Sequence, residues 1–234
     1  MPATSLIEEL PKIVKEGRQE AQRILERLSS NTHIGLQTNE LVLPAKDTSG
    51  LWKGKNEQVI NKEWMNRLVY GDNLLAMQAL LAGDEATGLP SLRGKVDLIY
   101  IDPPFDSKAD YRTKINLPGM DIEQKPTVIE QFAYSDTWQD GTVSYLKMLY
   151  PRLVLMRELL SDKGSIYVHI DWHVGAYVKV LMDDVFGKDN FVNNIIWHYG
   201  GPSPIKTAFA RKYDIIYLYG KTLKRIFNPQ YGNI

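Results

Sequence analysis

Asp102-Pro103-Pro104-Phe105 is the run in this chain whose residue types and order could do chemistry. It follows the β-prone stretch Val96-Asp97-Leu98-Ile99-Tyr100-Ile101, so it stands where a strand ends. In open α/β sheets ligands gather at the carboxyl ends of strands. Two consecutive prolines fix φ and remove two backbone donors, leaving a stiff turn that presents carbonyl oxygens without competing N–H groups. A carboxylate beside fixed carbonyls is an acceptor-only cradle, and Phe105 sets a flat apolar face next to it. The matching guest is an exocyclic amine on a planar base, because two N–H groups need two acceptors and a ring needs a stacking surface. Such an amine is a poor nucleophile, its lone pair being delocalised into the ring. Hydrogen bonds from both N–H groups to Asp102 and a proline carbonyl draw the nitrogen toward tetrahedral geometry. They also stabilise the positive charge that develops as nitrogen attacks a sulfonium methyl. A base in a duplex must leave the stack to reach such a pocket, with Phe105 replacing the lost stacking. Taken alone, the tetrapeptide is equally well explained as a strand-ending turn, since Asp and Pro are common turn formers.

The elements that must position this turn are legible around it. Arg67-Leu68-Val69-Tyr70 reads as a short strand, Gly71-Asp72-Asn73 as a turn with a helix N-cap, and Leu74, Leu75, Met77, Leu80 and Leu81 as a helical face. Residues 82–94 hold three glycines and a proline and read as a loop. With the strand at 96–101 this is a parallel βαβ unit. The polar segment from Asp106 to about Gly141 shows no period, and loops of that length are usually functional or mobile. An apolar helix follows from Val143 to Leu160, with Pro151 a kink or restart. Ser161 to Gly164 turns the chain into a strand at Ser165–Ile170. A helix from Val174 to Phe186 stops at Gly187, and further strands fall at Asn194–Trp197 and Ile215–Tyr219. At the front, Ser5 and Glu8 have capping-box spacing, and a helical stripe runs from Leu6 to Leu28, with an interruption expected near Pro11. The expected class is α/β with a mostly parallel sheet. Residues 1–55 form a helical segment and connector, and 56–234 the main domain.

Composition limits the alternatives. Of 234 residues 44% are hydrophobic and 24% charged, an ordinary globular balance, and there is no cysteine for a disulfide or thiolate metal site. No apolar run approaches the roughly 20 residues that span a bilayer, and Glu8 and Glu9 break any signal-peptide pattern. A soluble, cytoplasmic protein is expected. Net charge is zero, which counts against a protein that simply coats nucleic acid. From Ser203 onward, however, Lys206, Arg211, Lys212, Lys221, Lys224 and Arg225 face a single acid, Asp214.

From Asn66 to Trp197 the sequence resembles the bacterial adenine-specific DNA methyltransferases of the β arrangement, including the modification subunits of type III restriction systems. The matching pieces are residues 67–74 and 96–105, then Tyr134-Ser135-Asp136, Gly164 to Asp171, and Asn194 to Trp197, all in the family's order. The resemblance implies the methyltransferase version of a Rossmann-like sheet, S-adenosylmethionine as methyl donor and DNA as substrate. It makes Asp102, Pro103, Pro104 and Phe105 the catalytic loop, Phe105 standing where many relatives have Tyr. An Asp in first place favours adenine N6, whereas cytosine N4 enzymes often carry Ser. Asp72 and Asn73 correspond to the segment that contacts the adenosine end of the cofactor, and an N-cap role can coexist there on one residue. The family's Gly-rich cofactor loop lies late in the chain in this arrangement. No such loop is present, Gly200-Gly201 and Gly232 lacking its spacing. The expectation is therefore the front half of a catalytic domain, completed by a C-terminal portion or a complementary chain, with a restriction subunit as a candidate partner.

Other constellations weigh less. His169, Asp171 and His173 alternate as metal donors might, but Asp171 ends a strand and His173 opens the next element, so no metal is expected. Trp197 could flank a flipped base or cap the core, with the core favoured slightly. Tyr134 and Trp138 on the polar segment lean toward substrate, and Lys206, Arg211 and Lys212 are candidate phosphate contacts. The competing readings are an inactive nucleic-acid-binding remnant and a cytosine-N4 enzyme.

Overall fold

The computed structural model describes residues 5–29, 67–84, 88–103, 113–117, 120–124, 141–201 and 206–229, the two short segments 113–117 and 120–124 by their backbone. In chain order these form helices α1 (Leu6–Leu28) and α2 (Asn73–Ala82), strand β1 (Val96–Ile101), and strands β2 (Thr113–Leu117) and β3 (Met120–Gln124). Then come α3 (Thr142–Leu159), β4 (Leu160–Asp171), α4 (Trp172–Phe186), a 3₁₀ turn at Lys188–Asn190, β5 (Phe191–His198) and β6 (Tyr213–Gly220).

Four strands make one sheet in the order β1-β4-β6-β5. β1 pairs parallel with β4, while β6 runs antiparallel to both β4 and β5. Three strands therefore share one direction and β6 alone opposes them. The α/β class is as expected, but the sheet is mixed rather than mostly parallel. The physical reason is the short connection from β5 to β6, which carries no crossover helix among its described residues and returns the chain antiparallel.

Alternation decides which face is covered. Ile99 and Ile101 of β1 align with Ile166 and Val168 of β4, and these with Tyr219 and Tyr217 of β6. All lie in or against one hydrophobic cluster with Tyr145, Leu146, Leu149 and Leu153 of α3 and Val174, Val178, Leu181 and Phe186 of α4. The intervening residues Leu98 and Tyr100 point the other way and are exposed. Helix α1 adds Ile13 and Ile24 to the cluster. It approaches α3 at Gly17, where a Cβ would stand 2.5 Å from Cδ1 of Tyr150. Arg18 Nη2 donates to both carboxylate oxygens of Asp184 on α4, at 3.0 and 2.9 Å. Tyr150 donates to the same carboxylate at 2.5 Å.

Several expectations fail for local reasons. Arg67–Tyr70 pairs with no strand among the described residues, and Leu68 and Tyr70 are exposed. A β-prone tetrapeptide needs a ladder partner to become a strand. Ser161–Gly164 does not turn the chain. β4 already begins at Leu160, and the register jumps from Val96↔Leu160 to Leu98↔Ser165, so the extra residues form a bulge. A Cβ on Gly164 would lie 2.8 Å from the Val96 carbonyl oxygen, so only glycine fits that bulge. The polar segment after Asp106 contains the β2–β3 hairpin. α1 and α3 continue through Pro11 and Pro151, and Ser5 occupies the N-cap of α1 without a side-chain cap bond. The proposed boundary at 55/56 lies outside the described residues.

Candidate active site

The register brings the carboxyl ends of β1, β4 and β5 to one edge of the sheet. Ile101 aligns with Val168, Asp171 with Asp214, and Asp214 with Trp197. Asp102 is the first residue beyond β1, and its side chain is 57% exposed at that edge. Pro103 follows, half-buried. Pro104 and Phe105 lie outside the described residues, as do Tyr134 and Trp138.

Asp102 has an unforeseen neighbour. Nδ1 of His169 lies 3.7 Å from its Oδ1 and 3.1 Å from the Tyr100 hydroxyl, while Nε2 lies 3.3 Å from Oδ2 of Asp214. Three groups, two from β1 and its carboxyl end and one from β6, thus meet on one imidazole carried by β4. His173 takes a different direction: its Nδ1 lies 3.0 Å from Asp171, whose Oδ1 also accepts from the backbone N–H groups of His173 and Val174 and caps α4. The alternation His169, Asp171, His173 is therefore split by the strand-to-helix transition. The signal for His169 was present in the sequence but needed register to be read. Once Ile101 pairs with Val168, the next pair along is Asp102 with His169.

Asp72 and Asn73 form a second corner, on the helical side. Asp72 Oδ1 accepts from the N–H groups of Leu74 and Leu75 at 2.9 and 3.1 Å, the N-cap geometry that short polar side chains supply. Its Oδ2 accepts from Arg152 at 3.3 Å, and Asn73 Oδ1 accepts from Arg152 Nε at 2.5 Å. Arg152 reaches there from mid-α3, where it also donates to the Met148 carbonyl at 2.8 Å. Burial lowers the Arg152 guanidinium below its ordinary value, opposed by the negative charges of Asp72 and Glu20. No sequence signal marked Arg152, since a lone arginine in a helix reads as a surface residue. The chain descends along α2 to the amino end of β1, where Gly94 and Lys95 donate to the carbonyls of Glu158 and Leu159. The first turn of α2 is thereby set toward the opposite end of the sheet, the end on which Asp102 lies.

The aromatic and basic candidates divide. Trp197 does not cap the core: its neighbours on β5 form an uncovered edge, and it is 59% exposed. The Arg211 guanidinium stacks 4.5 Å over the ring of Trp172, the first residue of α4, which places it at the same sheet edge as Asp102. Lys212 immediately precedes β6 there, and Lys206 is exposed. Lys221 is structural, donating to the Leu160 carbonyl at 2.5 Å. Loss of water and the negative charges of Asp214 and Asp171 raise the Tyr199 phenol above its usual value, so it shares this electrostatic neighbourhood.

Comparison with known proteins bears on this arrangement. A family described as DNA methylase, of the N6/N4 type, matches residues 96–232, more than half of the chain. The chain belongs to this DNA methylase family. Among its relatives, the type II methyltransferase M.EcaI of Enterobacter cloacae is 30% identical over 199 residues, covering 83% of this chain and 38% of the relative. The Mod subunit of the type III restriction-modification enzyme EcoP15I from Escherichia coli is 27% identical over 191 residues, covering 76% and 28%. The Mod subunit of EcoPI from Escherichia phage P1 is 29% identical over 192 residues, also covering 76% and 28%. This DNA methylase chain thus spans about a third of the length of the curated relatives it matches. Among its described residues no helix is long and apolar enough to cross a membrane.

Proposed function

We propose that this chain is the part of a site-specific DNA methyltransferase that carries the amine-binding loop, acting on N6 of an adenine swung out of the duplex. The observation that supports the reading most strongly is the exposed Asp102 carboxylate. It stands at the carboxyl end of β1, is joined directly to Pro103 and is backed from behind by His169. A carboxylate in that place can accept one N–H of a substrate amine, and a proline carbonyl of the turn can accept the other. Phe105 supplies the stacking face.

The methyl donor implied by the family is S-adenosylmethionine. The donor set of the Asp72–Asn73 corner fits it: Asp72 keeps 48% of its side chain exposed although Arg152 holds it, leaving acceptor capacity for hydroxyl or amino groups. When bound, the cofactor would supply an electrophilic methyl on a sulfonium, whose sulfur would keep the electron pair of the C–S bond as the methyl passes to N6. What this chain contributes is placement: Asp102 orients the amine and balances its growing positive charge. Trp197, Arg211, Lys212 and Lys206 lie where they could meet the DNA, by stacking and by phosphate contact. The sheet with β1, β4 and β5 codirectional suits the Rossmann-like methyltransferase type, of which residues 56–234 would be the front portion. Completion by a C-terminal portion or complementary chain, a restriction partner as for the type III Mod relatives, and action in the cytoplasm belong to the same reading.

Asp102→Ala tests it. The variant is expected to keep the thermal midpoint and cofactor affinity of the parent while methyl transfer to DNA falls below detection. Transfer at the parental rate would end the assignment of Asp102.

A further inference from the structure

We propose that His169, braced by Asp214, is a positioning residue for Asp102 and takes up the proton that the methylated amine must lose; this rests on the amine-binding reading of Asp102. The ring is built into place from three strands. Nε2 faces Asp214 Oδ2 at 3.3 Å from β6, while Nδ1 faces the Tyr100 hydroxyl at 3.1 Å and Asp102 Oδ1 at 3.7 Å from β1. The His169 side chain is 19% exposed and that of Asp214 is 15% exposed, whereas Asp102 is 57% exposed. The assembly therefore has a sheltered end at Asp214 and an open end at Asp102.

The neighbours of the two ring nitrogens favour one tautomer of the neutral ring. In the neutral ring Nε2–H donates to Asp214, and Nδ1 is left as an acceptor that takes the Tyr100 O–H and faces Asp102. A proton arriving at Nδ1 makes an imidazolium held between two carboxylates, each of which favours the charged form. The charged and titratable groups around it are Tyr100 and Asp102 from β1, Asp171 from its own strand and Asp214 from β6. Tyr199 follows β5 within the field of Asp171 and Asp214, and Lys212 lies just before β6. Arg211, over the ring of Trp172, and His173, on Asp171, belong to the same edge.

The step balances. Once N6 has gained its methyl it holds two hydrogens and a positive charge. One N–H bond breaks with its electron pair staying on N6, and the proton passes to the Asp102 carboxylate and then to Nδ1 of His169. The ring returns it to water, so one proton is released per methyl transferred. Tyr100 gives up its hydrogen bond to Nδ1 while the proton is there.

The first test needs neither cofactor nor DNA. Imidazole resonances of the chain are recorded by NMR, with His169→Asn assigning the signal among the four histidines. Asp102→Asn and Asp214→Asn should each move the His169 ring-nitrogen chemical shifts, because each changes the group that a ring nitrogen faces. Ring-nitrogen shifts unmoved by either change overturn the proposal, and Asp214→Asn, which keeps the ring, decides the matter if His169→Asn does not fold. The second test is methylation of DNA. His169→Asn should lower kcat by about 100-fold, in the range of general acid–base effects, with KM for S-adenosylmethionine unchanged. The parental pH–rate profile should carry an acid limb that the variant lacks. A variant with parental kcat and profile overturns the His169 role alone. Coupled ring shifts in a completed parent enzyme that methylates no DNA overturn the amine reading, and with it the proton-accepting role, while leaving the Asp102–His169 contact standing.

Discussion

Asp72 serves two masters, and its variants can separate them. One carboxylate oxygen caps α2 through Leu74 and Leu75, and the other pairs with Arg152. Asp72→Ala removes the cap, at a cost of about 1 kcal/mol. It also removes the ion pair, which is worth no more than about 1 kcal/mol because Asp72 is half-exposed and screened by water. Arg152 is not stranded, since it keeps Asn73 and the Met148 carbonyl. The sum is about 2 kcal/mol, which for a chain of this size lowers the melting temperature by about 4–8 °C. Asp72→Asn retains the cap, because Asn caps as well as Asp, so its loss should be about half as large. Both variants should weaken S-adenosylmethionine binding by about tenfold, equivalent to about 1.4 kcal/mol. Differential scanning fluorimetry and calorimetry read the two effects separately. Equal thermal losses in both variants would refute the division of labour, and unchanged cofactor affinity in Asp72→Asn would refute the cofactor contact.

Two further outcomes test the framework beneath the site. Gly17→Ala gains about 1 kcal/mol in helix propensity, but its Cβ would meet a Tyr150 ring that is tethered through its hydroxyl to Asp184. Overpacking costs of about 1–3 kcal/mol should prevail, and denaturant unfolding should show a lower midpoint; a stabilised variant would show that α1 does not sit as closely on α3. Burial, then the bond to Asp184, pushes the Tyr150 phenol up to about 12 from the usual 10.0. The native chain therefore holds that proton after the unfolded chain has lost it. The associated stability is fully present below the unfolded value and is lost as pH rises through the folded one. Between these values Tyr150→Phe should show a shallower fall of stability with pH, by about 1.4 kcal/mol per unit, and identical slopes would contradict it.

Much of this was readable from residue order because the governing physics is local. A β-prone run stopped by Asp102-Pro103, an Asp ahead of a leucine-rich helix at Leu74, and a helix closed by Gly187 each carry their own signal. What escaped depends on partners distant in the chain. Arg67–Tyr70 has strand composition but no ladder, and the turn-like Ser161–Gly164 is absorbed into a bulge only because β1 lies alongside. The β2–β3 hairpin had a local signal that went unread: Ile115, Leu117, Met120 and Ile122 alternate around Pro118-Gly119. Within the candidate site, Asp102 and Asp72 announced themselves by position. Arg152 and His169 did not, since their roles exist only once α3 lies against α2 and β1 lies against β4.

The account's central claim is met most directly by identifying the methylated base. DNA incubated with the enzyme completed by its C-terminal portion or complementary chain, and with S-adenosylmethionine carrying a deuterated methyl group, is digested to nucleosides and read by mass spectrometry. Label is expected in N6-methyldeoxyadenosine, and none when Asp102 is replaced by Ala. Label in N4-methyldeoxycytidine, or in no nucleoside at all, would contradict it.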